Sequence, residues 1–544
     1  MNSLVILAIS SIAWLIWRAA RSVFIRSPID NVPGPTAPSL MRGNLGQLLN
    51  RDGWEFLDEV GQKYNKVVKL KGLFGHRMLY VFDPKALHQV VIKEADIYDL
   101  PEWLTDGVKL TTGPGLLGVH GAHHRRQRKM LNPAFSIKHM RTLTPLFYGV
   151  AHRLRSAMET QVGDVPTTIN MVNWFSRTAL ELIGQGGLGY SLDSLDTPMP
   201  NPYGEALKQF LPALFANAEL QFLLKHVKKI GSPAFRSAMI DWLPLPDLQR
   251  LKKVVSILGY EARNLYFIKK KALQAGGENV LKQVGEGKDI MSILMQANMQ
   301  ASEEDRLTED ELIGQMSLLV QAGTDTTSNA LTMLIHILAE HPNIQDKLRS
   351  EIQQAKEQYG EDIPYDNLVS LPYMDALCRE TLRLFPPVSF IFRETRKDVI
   401  MPLSEAIAGV DGTTMTEIPV PAGTTVIIGI RAVNHSKNVW GDDVKEFKPE
   451  RWLSPLPATV MEAHIPGVYS NLMTFNGGGR ACIGFKFSQL EMKVVLATIV
   501  SSFKISLADV TKDVVWNLAG VYYPTVGKYS NQPGFPVTLE RIQA

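Results

Sequence analysis

One of the two cysteines, Cys482, lies in the run Phe475-Asn-Gly-Gly-Gly-Arg-Ala-Cys-Ile-Gly484, directly before a helical pattern of Phe487, Leu490, Val494 and Val495. Backbone N–H groups at a helix start, with Arg480 close by, favour a thiolate there. Glycines let a backbone come close to a flat, bulky cofactor. One thiolate with no histidine or second cysteine beside it suits an axial ligand of haem iron, not a zinc cage. Three other patterns could do chemistry. Glu380 and Arg383 are three residues apart, on one face of a helix, among Leu382, Leu384 and Phe385, and Arg451 in Pro449-Glu-Arg-Trp452 offers another guanidinium. Ala322-Gly-Thr-Asp-Thr-Thr327 interrupts an apolar helical run. Its mid-helix glycine costs about 1 kcal/mol relative to alanine. A missing side chain leaves space beside the helix, and the hydroxyls can disturb backbone bonding. His123-His-Arg-Arg-Gln-Arg-Lys129 is a basic run, by itself a solvated helix face.

Together these patterns resemble the cytochrome P450 superfamily. The haem-binding signature Phe-x-x-Gly-x-Arg-x-Cys-x-Gly is matched at Phe475, Gly478, Arg480, Cys482 and Gly484. The resemblance implies that Cys482 is the axial ligand of haem b (iron protoporphyrin IX). It implies that Glu380, Arg383 and Arg451 form a structural cluster around the thiolate loop; Trp452 stands where the family has Phe. It implies that Asp325 and Thr326 organise water and deliver protons to bound oxygen, with Gly323 making room for dioxygen. Where the family has Trp-x-x-x-Arg against the haem propionates, this chain has His124 and Arg128. Arg393 and Arg480 are further propionate partners by resemblance. HPNIQDKLRSEI, Pro386-Pro387 and FKPERW stand in the family's order, and the texture is most similar to fungal microsomal members.

The elements that must position these residues can be read in outline. Short strands are expected at Lys66–Leu70, Met78–Phe82 and Thr425–Ile430, and a loop over 101–122. A mainly helical stretch follows from about 124 to 300, broken near Asn201-Pro202 and Gly285–Lys288. Within it, 203–250 reads as two amphipathic helices or as a loop that also touches a bilayer. Thr308 and Glu311 form a capping box for a helix over 309–340, about 48 Å long. A helix near 485–503 and a strand-rich tail close the chain. The fold class is mainly α with small β-sheets, the P450 fold by resemblance, with no repeat and no internal linker.

The chain has 544 residues, 45% apolar and 20% charged, which excludes disorder. Lys and Arg total 57 against 54 Asp and Glu, a balance that argues against a nucleic-acid binder. Two cysteines exclude a disulfide scaffold and fit a reducing compartment. Met1–Trp17 carries no charge and would span about 25 Å as a helix. Arg18, Arg21 and Arg26 flank it on the C-terminal side, so the expected arrangement is a single-pass anchor in the endoplasmic reticulum with the rest cytosolic. The expected domains are an anchor over 1–26, a proline-rich linker over 27–50 and a catalytic domain over 51–544.

The implied activity is insertion of one oxygen atom into a lipophilic small molecule. No dinucleotide fingerprint or flavin domain is evident, so electrons from NADPH would arrive through a separate P450 reductase, with cytochrome b5 as a further donor. The docking face would be Arg125, Arg126, Lys129, Lys138 and Lys486. Pocket positions by register are Leu117, Leu318, Ala322, Val388, Ile391 and Val521, all apolar, which favours a terpenoid or sterol-like substrate in fungal secondary metabolism. Alternatives are a xenobiotic, aromatic-hydrocarbon or fatty-acid hydroxylase, a P450-fold isomerase or dehydratase, and a non-catalytic membrane haem protein.

Overall fold

The computed structural model describes residues 26–64, 66–196, 202–222, 224–275 and 287–542. The expected anchor over Met1–Trp17 lies outside them, and among the described residues no helix is long and apolar enough to cross a membrane. The chain sorts into two compact units: Met1–Pro101 with Val388–Glu446 and Leu456–Ala481, and Glu102–Pro387 with Phe447–Pro455 and Cys482–Ala544. The chain passes from one unit to the other repeatedly, so no single linker marks the division in the sequence.

The first unit is built on a five-stranded sheet. Its strands are β1 (Val67–Lys71), β2 (Arg77–Val81), β3 (Tyr98–Asp99), β4 (Ile391–Thr395) and β5 (Thr425–Ile428), in the spatial order β1-β2-β5-β4-β3. The expected strands are present, shifted by a residue or two. β5 runs parallel to β2, with Met78 opposite Thr425, and antiparallel to β4, with Ile391 opposite Ile428. Val68, Leu79, Tyr80, Val426, Ile427 and Ile428 are fully buried. Burial on both faces explains why these strands read as unbroken apolar runs rather than as alternation. β3 pairs Asp99 with Glu394, bringing it beside the strand that carries Arg393.

The second unit is helical. Its elements relevant here are α1 (Gly121–Leu131), α2 (Ile137–Val162), α3 (Met171–Leu182), α4 (Pro233–Trp242), α5 (Glu309–Glu340), α6 (Pro372–Leu384) and α7 (Phe485–Ser502). α5 is the 32-residue helix that the capping box announced, with both reciprocal bonds of Thr308 and Glu311 formed. It packs against α3 and α7. Two expectations are corrected. Residues 101–122 are not a loop throughout: Glu102–Thr111 is a helix that buries Trp103 and Thr105, and turns follow it up to His120, among them the short 3-10 turn Leu116–Gly118. The turn-rich tail of that segment had masked the helix before it. Residues 203–250 hold more than two helices. Pro202–Ala216, Ala218–Gln221, Leu224–Val227 and α4 succeed one another, broken at Asn217 and before Pro233, and a longer helix starts at Pro246.

Candidate active site

In the first unit the glycine-rich run leaves a strand, Leu472–Gly477, and turns through Gly478–Arg480. Phe475 is buried edge-on against Tyr469, with ring centroids 5.5 Å apart. Gly478 has φ +63°, and a Cβ there would lie 1.9 Å from the carbonyl oxygen of Val91. At Gly477 a Cβ would lie 2.0 Å from the oxygen of Pro466. Only glycine fits either position, and the crowding is with protein backbone rather than with space reserved for a cofactor. Gly479 meets nothing within 4 Å.

Arg480 donates to Asp99 at 2.7 Å. Arg393, on β4, is 4% exposed and donates to the oxygen of Phe392 at 2.9 Å. Burial and then the neighbouring Arg480 cation push the Arg393 guanidinium down to about 10, against the pull of Asp99. Both guanidinium groups feel Asp99, and Arg480 also feels Asp96 and Arg396, so two enclosed donors of the type that binds carboxylates lie in one charged cluster.

In the second unit Cys482 follows Ala481 and begins the approach to α7. Its side chain is accessible. The surrounding protein still raises the thiol above its ordinary range, while the Gly484 N–H and the Arg128 cation pull it down. The cation set against this sulfur is therefore Arg128; Arg480, expected in that role from its place in the sequence, donates to Asp99. His124, buried, and Arg128 sit one turn apart on α1 and so share a face.

The Glu380 cluster has the expected members and two more, the Lys448 backbone and Trp452. Glu380 and Arg383 have no exposed side-chain surface. Arg383 donates from Nε at 2.9 Å and Nη2 at 2.8 Å, a two-pronged contact. Arg451 Nε donates at 3.0 Å and the Lys448 backbone N–H at 3.1 Å. The Trp452 indole N–H donates to Oε2 at 2.9 Å, a bond that phenylalanine could not make. Burial opposes the charge of Glu380, but the hydrogen bonds and charge of Arg383, then of Arg451, hold its carboxyl below the usual range.

α5 stays helical through Ala322–Thr327. Thr324 donates to the Val320 oxygen at 2.7 Å and Thr326 to the Ala322 oxygen at 2.8 Å, the backbone competition expected of these hydroxyls. The space beside Gly323 is already occupied: a Cβ there would meet Ile183 at 3.3 Å. Asp325 lines a cavity of about 30 Å³ with Ser176, Lys208, Asn329 and Val521, which holds about one water. Burial pushes its carboxyl up to about 7, moderated by Lys208.

Of the expected pocket positions, Val521 therefore joins Asp325 at this cavity. Leu117 is 46% exposed, while Leu318 and Ala322 lie along α5. Val388 and Ile391 are half-buried in the first unit. Asp99 and Lys208 were missed, because nothing local to either sequence neighbourhood marks a partner hundreds of residues away or on another helix. Trp452 was visible as a departure, though not its bond.

In the second unit the accessible Cys482 sulfur, with the Arg128 cation and the Gly484 N–H acting on it, is the kind of donor that haem iron takes. Among the described residues no cluster of three or more His, Cys, Asp or Glu could hold a metal ion on its own. The family model for cytochrome P450 matches residues 32–519. This chain belongs to the cytochrome P450 family. It is 51% identical to cytochrome P450 monooxygenase 91 of Postia placenta over 98% of either chain. It is 50% identical to cytochrome P450 monooxygenase 81 of the same fungus, over 94% of this chain and 93% of that one. It is 44% identical to ganoderic acid synthetase CYP5150L8 of Ganoderma lucidum, over 98% and 97%. The chain is a P450 monooxygenase, and membership carries with it a haem group and a redox partner that supplies electrons.

Breaking the Glu380 cluster should be costly in proportion to what is left unpaired. Glu380→Gln strands two buried arginines and should cost about 3–5 kcal/mol of stability. Trp452→Phe removes one donor and should cost about 1 kcal/mol. Denaturant titration followed by far-UV circular dichroism reads both, and equal losses would contradict this ranking.

Proposed function

We propose that the protein is a membrane-anchored monooxygenase that oxidises a terpenoid or sterol-like molecule, drawing electrons from NADPH through a separate P450 reductase. The observation that carries the chemistry is the accessible Cys482 sulfur facing the Arg128 cation. Cys482 would ligate the iron of haem b, with His124, Arg128, Arg393 and Arg480 as partners for its propionates. When bound, haem supplies activation of dioxygen and transfer of one oxygen atom to a C–H bond. The protein holds the group, excludes water and manages protons. Asp325 would serve the last task. Its carboxyl is raised to about 7, so it gains and loses a proton near neutrality, next to a water-sized cavity and the Lys208 ammonium. The acid beside Thr326 also favours a monooxygenase over an isomerase of the same fold.

The substrate class rests on apolar residue types at Leu117, Leu318, Ala322, Val388, Ile391 and Val521, and on the printed name of the Ganoderma relative. The reductase would meet Arg125, Lys129 and Lys138, which are exposed, and Lys486, which is half-buried over the Phe485 ring. Arg126 contributes less than the sequence promised, because it already donates to the Glu304 oxygen at 3.0 Å. Membrane contact beyond the N-terminal anchor is supported around α4. Phe235, Met239, Trp242, Leu243 and Leu245 are all exposed there, with Trp242 at 89%.

Three measurements test this reading. Reconstitution with a fungal P450 reductase and NADPH should give oxygenated product from a triterpenoid or sterol within a lipophilic panel, with a higher reductase KM for Arg125→Glu. Turnover independent of NADPH would contradict it. In that assay the parent kcat should titrate with an apparent pKa near 7, and Asp325→Asn should flatten the profile. Asp325 has a raised pKa in the folded chain, so the stability it lends is complete below about 4 and lost as pH rises through about 7. Asp325→Asn should therefore raise thermal stability at pH 8 and leave it nearly unchanged at pH 4. A polarity-sensitive dye on Trp242→Cys should shift to the blue when the full chain enters bilayers; an unshifted dye would place α4 in water.

A further inference from the structure

We propose that a buried hydrogen-bond clamp centred on Glu311 positions α1, which carries His124 and Arg128, against α5, and so sets how tightly haem is retained. The proposal rests on the haem reading above and adds residues that are not part of the P450 signatures.

The Glu311 carboxylate works on two sides. Its Oε2 accepts the Thr308 backbone N–H at 2.8 Å and the Thr308 hydroxyl at 3.0 Å, closing the cap of α5. Its Oε1 faces α1, where it accepts the Gln127 amide at 2.9 Å and the His123 ring N–H, with Arg126 Nη2 at 3.5 Å. A second link lies one turn along α5, where Gln315 Nε2 donates to Gln127 Oε1 at 2.7 Å. Gln127, Gln315 and Glu311 are all buried.

The same network stitches down the turn before α1. Gln127 Nε2 also reaches the Pro114 oxygen at 3.0 Å, and the Leu116 N–H donates to Gln315 Oε1 at 3.2 Å. Here the backbones touch: a Cβ on Gly314 would lie 2.7 Å from the Gly115 nitrogen.

A helix cap alone would need only Thr308 and Glu311. Pairing two amides in the interior adds little over apolar packing of the same volume, but it admits one register only. The residues so engaged, His123, Arg126 and Gln127, alternate along α1 with His124 and Arg128. Holding one set fixes the rotation of the helix, and with it where the other set points. Gln127 and Gln315 are thus positioning residues.

The test uses the full-length holoprotein and measures the rate at which haem passes to apomyoglobin, beside the thermal midpoint. Gln127→Leu and Gln315→Leu should each speed haem loss by about tenfold or more, the usual scale for removing a group that orients a ligand. His123→Ala, on a partly exposed side chain, keeps the fold and should speed it in the same direction. The control is Gln345→Leu, which removes another buried amide, one that bridges the Leu338 and Ile505 oxygens at 3.0 and 2.8 Å. It should lower the thermal midpoint and leave haem loss near the parent rate. Haem loss that merely follows the midpoint across all four variants would overturn the clamp, as would parent-like release from His123→Ala and both leucine variants. A parent chain that holds no haem would overturn the haem reading and the clamp with it.

Discussion

A sulfur anion in a protein interior has to be stabilised by something. Around Cys482 burial disfavours the thiolate, and the protein answers with one N–H from Gly484 and one cation, Arg128. The sulfur nonetheless stays accessible, open to a further partner. The rest of the structure follows from this constraint. Arg128 must stay where it is, so α1 must be held. The turn before Cys482 must keep its path, so Gly477 and Gly478 must remain free of side chains against the carbonyls of Pro466 and Val91.

The second unit spends its buried charge on holding such pieces still. Glu380 collects five donors from Arg383, Lys448, Arg451 and Trp452, and ties α6 to the segment around Pro449–Trp452. Glu311 collects donors from α1 and from its own helix cap, which bring its carboxyl down to about 2 against the cost of burial. Both are carboxylates that remain ionised in the interior because every nearby donor points at them. Asp325 is the contrast. It sits in the middle of α5 with one ammonium near and burial against it, so its proton is exchangeable near neutrality. Glu380 and Glu311 thus differ from Asp325 in how many donors surround each.

Much of this was legible in the residues. The Cys482 loop, the Glu380–Arg383 spacing and the capping box of α5 are local patterns, and local patterns survive into structure because they depend on neighbours in the chain. The long helix and the main strands were placed within a residue or two for the same reason. What was not legible depended on distance along the chain. Asp99 meets Arg480 across 381 residues, and Gln127 meets Gln315 across 188. The glycines illustrate the limit. Gly323 and Gly478 were recognisable as positions in need of a reason, but the reasons, Ile183 and the Val91 carbonyl, come from elsewhere in the fold. The helix over Glu102–Thr111 was hidden by the turn residues that follow it.

Everything proposed for the chemistry requires Cys482 to be a thiolate ligand of haem iron. The visible spectrum of the dithionite-reduced, carbon-monoxide-bound full-length protein, recorded beside Cys482→Ser, tests it most directly. A strongly red-shifted Soret band is expected in the parent and not in the variant. A parent band at the position of histidine-ligated haem, or a red-shifted band that survives the substitution, would contradict it.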